Sequence, residues 1–231
     1  MVYNRFMGLF GRKDNRNRDT CPYCRAIFEK PPKRKAKCEK CGEECFIRTT
    51  QTIFNSDILT HEDALAADFF KELEYLGATV DDYLKVEADL SQKWGTKPKS
   101  YDIVWGLSNR LVGHPPDIGN TYDKRLSILQ HGKMIAFAQA LYQLRRGHDP
   151  YSYLKSVHNY EIQLGMNSGL PLAYFEVETN PCCNECTKYQ GTKCTVEELE
   201  KNPILPIKNC TNKIEQKDYA WCTCWYSPHY S

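Results

Sequence analysis

Cysteine is the residue type with the clearest chemical potential in this sequence. The chain has 231 residues and 12 cysteines, which fall into two groups separated by a long segment without any. Five lie between Cys21 and Cys45, and seven lie between Cys182 and Cys224. Cysteines that only filled a core would be spread along the elements that build it. Two local groups instead predict two metal sites, one near each end of the chain.

The first group contains two Cys-x-x-Cys pairs separated by thirteen residues. Each pair predicts a tight turn that brings two thiolates together, and two such turns close a tetrahedral cage of four sulfurs, as in a zinc ribbon. A redox-active pair is the alternative, but such a pair sits at a strand-to-helix turn of an α/β fold, which this sequence does not predict. We therefore expect a structural zinc ion here. Its predicted ligands are Cys21, Cys24, Cys38 and Cys41, with Cys45 as a replacement for Cys41.

The second group allows several cages, because its cysteines are less evenly spaced. One Cys-x-x-Cys pair opens the group, and a single cysteine and a Cys-x-Cys pair follow later in the chain. We expect a second structural zinc ion, bound by one cysteine pair and two later cysteines. The predicted ligands are Cys183, Cys186, Cys210 and Cys224, with Cys222 as the substitute for the last. The remaining cysteines, Cys182 and Cys194, are alternative ligands or small buried thiols.

The order of elements around this second group carries a family resemblance. A predicted strand leads into the cysteine pair, and the following segments are Tyr189-Gln190-Gly191, Thr195-Val196-Glu197-Glu198, Leu205-Pro206, Asn209-Cys210 and Cys222-Thr223-Cys224. Over residues 173–228 this order resembles the C-terminal cysteine-rich module of Mu-type phage minor head, or head-morphogenesis, proteins. The family usually has His-Pro before the penultimate cysteine and Arg between the last two, whereas this chain has Pro206-Ile207-Lys208-Asn209 and Thr223. The resemblance implies a protein of phage or prophage type whose second site lacks a histidine ligand.

The charge of the chain is unevenly distributed. Residues 1–48 contain 13 Lys/Arg against 6 Asp/Glu, whereas the remainder contains 18 against 23. Such a basic head favours contact with a nucleic acid or a membrane surface, or docking on the acidic body. The candidate nucleic-acid-binding residues are Lys33, Arg34, Lys35 and Lys37, between the two cysteine pairs. The alternative is a solvated hairpin tip, because no aromatic residues that could stack on bases are interleaved with these cations.

Between the cysteine groups the sequence predicts helices. Apolar residues recur at helical spacing over 60–76, 79–94, 100–112, 123–146 and 149–165, and a strand follows at 173–179. We predict a mainly α fold with small zinc-bound β modules. Its parts are a flexible basic arm (1–20), an N-terminal zinc ribbon (21–50), a central bundle of about five helices (51–170) and a C-terminal α+β zinc module (171–231).

The motifs of common enzyme classes are missing from the sequence. It contains no HExxH, GxxxxGK[ST], GxGxxG or GxSxG motif. It also predicts neither a membrane span nor an export signal, which indicates a cytoplasmic protein of a bacterium or of a phage-infected host cell. We expect a non-catalytic, zinc-binding adaptor or structural protein that binds a protein partner and a nucleic acid, without a small-molecule cofactor. The alternative is a metal-dependent nuclease or another zinc hydrolase.

Overall fold

The protein folds into two compact units, the first ending at Ala67 and the second beginning at Asp68. The computed structural model describes residues 16–113, 124–180, 183–215 and 217–231. The helices are α1 (His61–Tyr75), α2 (Val80–Trp94), α3 (Ser100–Gly113), α4 (Lys124–Arg145), α5 (Tyr151–Met166), α6 (Asn184–Thr187) and α7 (Val196–Lys201). The strands are β1 (Ala36–Lys37), β2 (Glu44–Ile47), β3 (Ile58–Leu59), β4 (Leu172–Glu178), β5 (Lys193–Cys194) and β6 (Trp225–Tyr230).

This arrangement confirms the prediction of a mainly helical fold with small β parts. The strands form two antiparallel sheets of three strands each, with the orders β1-β2-β3 and β5-β4-β6. Within the described ranges, no helix combines the length and the apolar character needed to cross a lipid bilayer. The division of the chain at Ala67 falls inside α1, and the finer domain limits given above remain predictions.

In the first unit, a buried carboxylate binds the chain segment that precedes the first cysteine. The side chain of Asp57 is 2% exposed, and it pairs with Arg16 at 3.0 Å and with Arg18 at 2.9 Å. The backbone of Asn17 also bonds to the amide of Asp57. A buried carboxylate without a cation would be strongly destabilising, so these contacts fix the chain just before the first cysteine. Arg16, Asn17 and Arg18 therefore make defined contacts with the first unit. Residues 1–15 lie outside the described part, and the flexible arm remains a prediction.

The predicted beginnings of α1 and α2 are confirmed by their capping bonds. The hydroxyl of Thr60 accepts the amide of Asp63 at 3.1 Å, and the hydroxyl of Thr79 accepts the amide of Asp82 at 3.2 Å. At Thr79 the bond is reciprocal, because the Asp82 carboxylate accepts the Thr79 amide. Gly95 ends α2 in the left-handed conformation, with φ at 69°. These local signals set where the helices begin and end.

Not all large apolar residues of α2 lie in the core. Leu84 and Trp94 are exposed, whereas Tyr83 and Val86 are buried. Val86 faces α3, where a Cβ built on Gly106 would lie 3.1 Å from its Cγ1 atom. Tyr83 and Val86, three positions apart, form the narrow apolar stripe by which α2 packs on its neighbours.

The second unit has an aromatic core built on α1, α3, α4 and α5. The rings of Phe69 and Tyr142 stack with their centroids 4.3 Å apart, and Trp105 meets Tyr153 edge-on at 5.2 Å. The buried face of α3 is formed by Ile103, Val104, Leu107 and Leu111. This core holds α5 against the C-terminal sheet, which in turn carries the second cysteine group.

The predicted strand at 173–179 is confirmed as β4, the central strand of the C-terminal sheet. Phe175 and Val177 point into the core, while Glu176 lies between them on the opposite face. This alternation follows the two-residue period of a strand with one buried face. The ring of Phe175 is covered by Gly165 near the end of α5, where a side chain would collide with it.

We predict that Gly165→Ala destabilises the protein. A Cβ at this position would lie 2.6 Å from the ring of Phe175 and 3.2 Å from Cβ of Pro228. Overpacking costs about 1–3 kcal/mol, and a contact of 2.6 Å with the buried Phe175 ring favours the upper part of that range, which exceeds the gain of about 1 kcal/mol from replacing Gly in a helix. Chemical denaturation of the metal-loaded protein measures the effect. Lys155→Ala, at an exposed position of the same helix, is the control and changes stability by no more than about 0.5 kcal/mol. A Gly165→Ala variant as stable as the parent would contradict the close packing of α5 on β4.

Candidate metal centres

The two Cys-x-x-Cys pairs of the first unit fold into matching turns. In the first turn the amide of Arg25 donates to the carbonyl of Cys21 at 3.0 Å, and in the second the amide of Gly42 donates to that of Cys38 at 2.8 Å. The residue after each pair adopts a positive φ, 62° at Arg25 and 77° at Gly42. Glycine adopts this conformation without strain, which explains its place in the second turn. The repeated geometry aims both cysteines of each turn towards a common point.

The four sulfurs of these turns form one cluster, which we call the N-terminal cluster. Sγ of Cys21 lies 3.8 Å from Sγ of Cys41, and Sγ of Cys24 lies 3.7 Å from that of Cys38. All four sulfurs lie within 4.8 Å of one another. A tetrahedral ion with metal–sulfur bonds of about 2.3 Å would hold its sulfurs about 3.8 Å apart, whereas a disulfide would bring them to about 2 Å. The four cysteines can therefore hold one metal ion.

A fifth sulfur borders the N-terminal cluster. Cys45 on β2 is fully buried, and its Sγ lies 3.8 Å from Sγ of Cys21. It does not lie within 4.8 Å of all four sulfurs of the cluster. The structure thus places the predicted replacement for Cys41 beside the cage rather than in it.

The protonation of these thiols shows why a cation would stabilise the cluster. Burial raises the pKa of Cys21, but hydrogen bonds from the amides of Cys24 and Tyr23 and from the thiols of Cys38 and Cys24 together bring it down to about 6. Burial raises the pKa of Cys45 to about 12, and the adjacent Cys21 contributes in the same direction. One thiolate therefore opposes the ionisation of the next, because like charges are close together in a poorly hydrated place. A bound divalent cation would remove this repulsion and favour the loss of further protons.

Five cysteines of the second unit form what we call the C-terminal cluster. Sγ of Cys183 lies 3.2 Å from Sγ of Cys186 and 3.9 Å from that of Cys210, and the Cys186–Cys210 distance is 3.6 Å. These three sulfurs form one group within 4.8 Å, and Cys186, Cys222 and Cys224 form a second. Cys186 belongs to both groups, so both candidate metal sites share it as a ligand.

The fourth ligand of this cluster has two candidates. The pKa of Cys222 is lowered to about 5, mainly by the hydrogen bond with Cys224. Burial opposes this decrease, whereas the Ile207 amide and the nearby His158 add to it. Conversely, the neighbouring Cys222 and burial raise the pKa of Cys224. The thiolate character is thus concentrated on Cys222. The choice between Cys224 and its substitute remains a prediction.

The other two cysteines of the second group have different positions. Cys194 lies on β5 opposite Phe175 in the hydrophobic core, and burial raises the pKa of its thiol. Among the described residues, no metal-binding group includes it. Its surroundings are those of a small buried thiol, which was one of the two predicted roles. Cys182 lies outside the described residues.

A buried charge network next to the C-terminal cluster was not recognised from the sequence. His158, 4% exposed, bonds through Nδ1 to Glu161 at 2.8 Å, and Glu161 also pairs with Lys133 at 2.9 Å. The same carboxylate accepts the amide of Tyr226, two residues after Cys224. The network therefore links α4 and α5 to the strand that follows the last cysteines. The only local signal is a His and a Glu three residues apart on an otherwise apolar face of α5.

The cations predicted to bind nucleic acid lie on the surface of the first unit. Lys33, Arg34, Lys35 and Lys37 are all exposed. Lys35 pairs with Glu44 at 2.6 Å and lies over the ring of Phe46, 5.1 Å from its centroid. Lys33, Arg34 and Lys37 have no ion pair with any other described residue.

Comparison of the chain with protein-family models, with curated proteins and with solved structures finds no match. The function must therefore be inferred from the two clusters and their surroundings. Every group that could hold a metal ion in the described ranges consists of cysteines alone. Thiolate sets of this kind suit zinc and iron, whereas magnesium and calcium need oxygen ligands.

We predict that single ligand substitutions remove one metal ion each. Cys24→Ser should remove the metal of the N-terminal cluster, and Cys186→Ser that of the C-terminal cluster, because Cys186 belongs to both of its groups. Elemental analysis of the purified proteins by mass spectrometry gives the metal content per chain. Cys194→Ser, a buried cysteine outside both clusters, is the control and should retain both ions. Retention of both ions by the Cys186→Ser variant would contradict this assignment.

The charge network also gives a prediction. Glu161→Gln leaves His158 and Lys133 without their buried carboxylate, which should lower the free energy of unfolding by about 3 kcal/mol. Denaturation at neutral pH measures the change. Asp89→Asn is the matched control, because the Asp89–Arg110 pair is exposed and should contribute less than about 1 kcal/mol. Equal effects of the two substitutions would show that the network is not important for stability.

Proposed function

We propose that this protein is a non-catalytic adaptor stabilised by two structural zinc ions, one in each cysteine cluster. The observation that carries the proposal is the spacing of the sulfurs, with distances of 3.7 and 3.8 Å in the N-terminal cluster. Zinc is the ion that such a set of four thiolates typically binds as a structural site. The N-terminal module would then be stabilised mainly by its ion, because few apolar side chains surround its cysteines.

The ligand chemistry supports a structural role over a catalytic one. A hydrolytic zinc ion keeps one position open for water and needs a nearby general base. Four thiolates fill the tetrahedron, and the groups that could hold a metal in the described ranges include no histidine or carboxylate. The alternative of a metal-dependent nuclease has no comparable support from these groups.

The partner of the first unit, in this proposal, is a nucleic acid. Lys33, Arg34 and Lys37 form an exposed group of cations before the second cysteine turn, and they are available to bind phosphates. Binding of this type is independent of base sequence and weakens with salt. Attachment of the loop to a metal centre would hold the cations in place, because Lys37 directly precedes Cys38.

The second unit offers a surface for a protein partner. Tyr219, Trp225 and Tyr230 are partly exposed in the C-terminal module, and aromatic side chains of this kind often anchor protein interfaces. The resemblance of this module to that of phage minor head proteins leads us to include a phage or prophage origin in the proposal. The supporting feature is the succession of β4, the Cys183–Cys186 turn, α7 and the last cysteines in the order that the family shows.

We predict that the protein retards DNA in gel-shift assays and that this binding weakens as salt concentration rises. Replacing Lys33, Arg34 and Lys37 by Gln should reduce affinity at least about tenfold at low salt and flatten the salt dependence, because three phosphate contacts are lost. Replacing the exposed Lys155, Lys201 and Lys208 by Gln removes the same charge from the second unit and serves as the control. Equal weakening by both triple variants would indicate that only net charge matters.

A cleavage assay tests the non-catalytic part of the proposal. The zinc-loaded protein is incubated with single-stranded and double-stranded DNA in the presence of Mg²⁺, Mn²⁺ or additional Zn²⁺. We expect intact DNA in every case. Metal-dependent cutting that is lost in the Cys186→Ser variant but retained in Cys194→Ser would favour the nuclease alternative.

A further inference from the structure

An exposed tyrosine in the first cysteine turn supplies an aromatic surface that the cationic loop itself lacks. Tyr23 directly precedes Cys24 and is 41% exposed. The backbone amide of His61 donates to the hydroxyl oxygen of Tyr23 at 3.2 Å, which fixes the outer end of the tyrosine ring. Tyr23 is therefore an ordered aromatic side chain that a ligand in solution can reach.

A series of contacts connects Tyr23 to the cationic loop. The ring of His61, an exposed residue, lies 4.9 Å from that of Phe46. Nζ of Lys35 in turn lies 5.1 Å from the centroid of the Phe46 ring. Tyr23 and His61 are 38 positions apart in the chain, so the fold of the first unit brings together aromatic and cationic residues that the sequence separates. We call the exposed rings of Tyr23 and His61 the aromatic platform.

The first cysteine turn also contains an arginine in a conformation that glycine adopts more easily. The φ angle of Arg25 is 62°, and the corresponding residue of the second turn is Gly42. A residue held in such a sparsely populated conformation often has a functional reason for its identity. Arg25 is exposed and has no ion pair with another described residue. Its guanidinium group can therefore bind a phosphate or stack on a base.

Aromatic rings beside cations fit a nucleic acid whose bases are unpaired. A side chain can stack on a base only where the face of that base is accessible, as it is in a single strand. A duplex offers these residues little more than its phosphates. The exposed Glu62 follows His61 and would repel phosphates on the α1 side, so we expect the phosphate chain on the Lys35 side of the platform.

We propose that Tyr23 and His61 stack on the bases of a single-stranded nucleic acid while Arg25 and the loop cations bind its phosphates. This inference rests on the proposed function, because it specifies the class of nucleic acid that the first unit binds. The platform accommodates about two bases, one for each ring. Single-stranded DNA and RNA offer the same chemistry to these residues, since neither base stacking nor phosphate binding requires a particular sugar.

The test compares ligands that share phosphates but differ in their accessible bases. Fluorescence anisotropy measures the affinity of the full chain for labelled oligo(dT), oligo(rU), an abasic strand and a duplex, each about 15 nucleotides long. We expect at least one of the two base-containing single strands to bind about tenfold more tightly than the abasic strand and the duplex, because only these strands can stack. The tighter of the two identifies the source of the ligand. Equal affinity for all three single strands, or tightest binding of the duplex, would overturn the proposal.

Substitutions at Tyr23 separate stacking from charge. Tyr23→Ala should weaken binding of the preferred single strand about tenfold and leave binding of the abasic strand unchanged. Tyr23→Phe keeps the ring and should stay within about twofold of the parent. His61→Ala removes the second ring and should weaken the same binding. Tyr75→Ala is the matched control, because Tyr75 is an 80% exposed tyrosine of the second unit and should not affect binding.

Substitution of Arg25 separates binding from stability. Arg25→Gly removes the cation and also relieves the positive φ, so the variant should be at least as stable as the parent. It should nevertheless bind every strand more weakly, including the abasic one. Unchanged binding by both Arg25→Gly and Tyr23→Ala would overturn the proposal while the nucleic-acid function stands. If the parent binds none of the four ligands at low salt, the proposed nucleic-acid function itself fails.

Discussion

The repulsion between neighbouring thiolates is the constraint that governs both cysteine clusters. In the N-terminal cluster, and within each of the two groups of the C-terminal cluster, the sulfurs lie within 4.8 Å of one another, and the ionisation of one hinders that of the next. A divalent cation converts this repulsion into attraction, because each thiolate then faces a positive charge. The short strands and tight turns of the N-terminal module have few apolar contacts, so their order would depend on a bound ion. The C-terminal cysteines lie in a larger hydrophobic core. The aromatic core of the second unit does not have this dependence, because ring stacking and apolar burial hold its helices together.

Residues whose roles are set by near neighbours could be predicted from the sequence. The predicted helical ranges 60–76 and 79–94 begin at Thr60 and Thr79, whose caps are completed by an acidic residue three positions away. The grouping of the four cysteines in the N-terminal cluster follows from the spacing of two cysteine pairs in the same way. In the C-terminal cluster the ligands come from segments up to about forty residues apart, and spacing left two candidates for the fourth.

Residues whose roles depend on distant partners could not be predicted. His158 and Glu161 have the same spacing as many exposed helical pairs, and only the packing of α4 and β6 around them makes them a buried network. Leu84 has the right spacing for a buried face but no helix covers it in the described structure. Arg16 and Arg18 could not be assigned from sequence, because their partner Asp57 lies beyond both cysteine turns.

The position of these two arginines has a consequence for how the first unit is delimited. A boundary drawn at the first cysteine would remove both cations and leave a nearly inaccessible carboxylate without compensation. The cysteine motif is therefore shorter than the segment whose contacts support it. An excised or transplanted module should begin upstream of Arg16 and extend past Asp57.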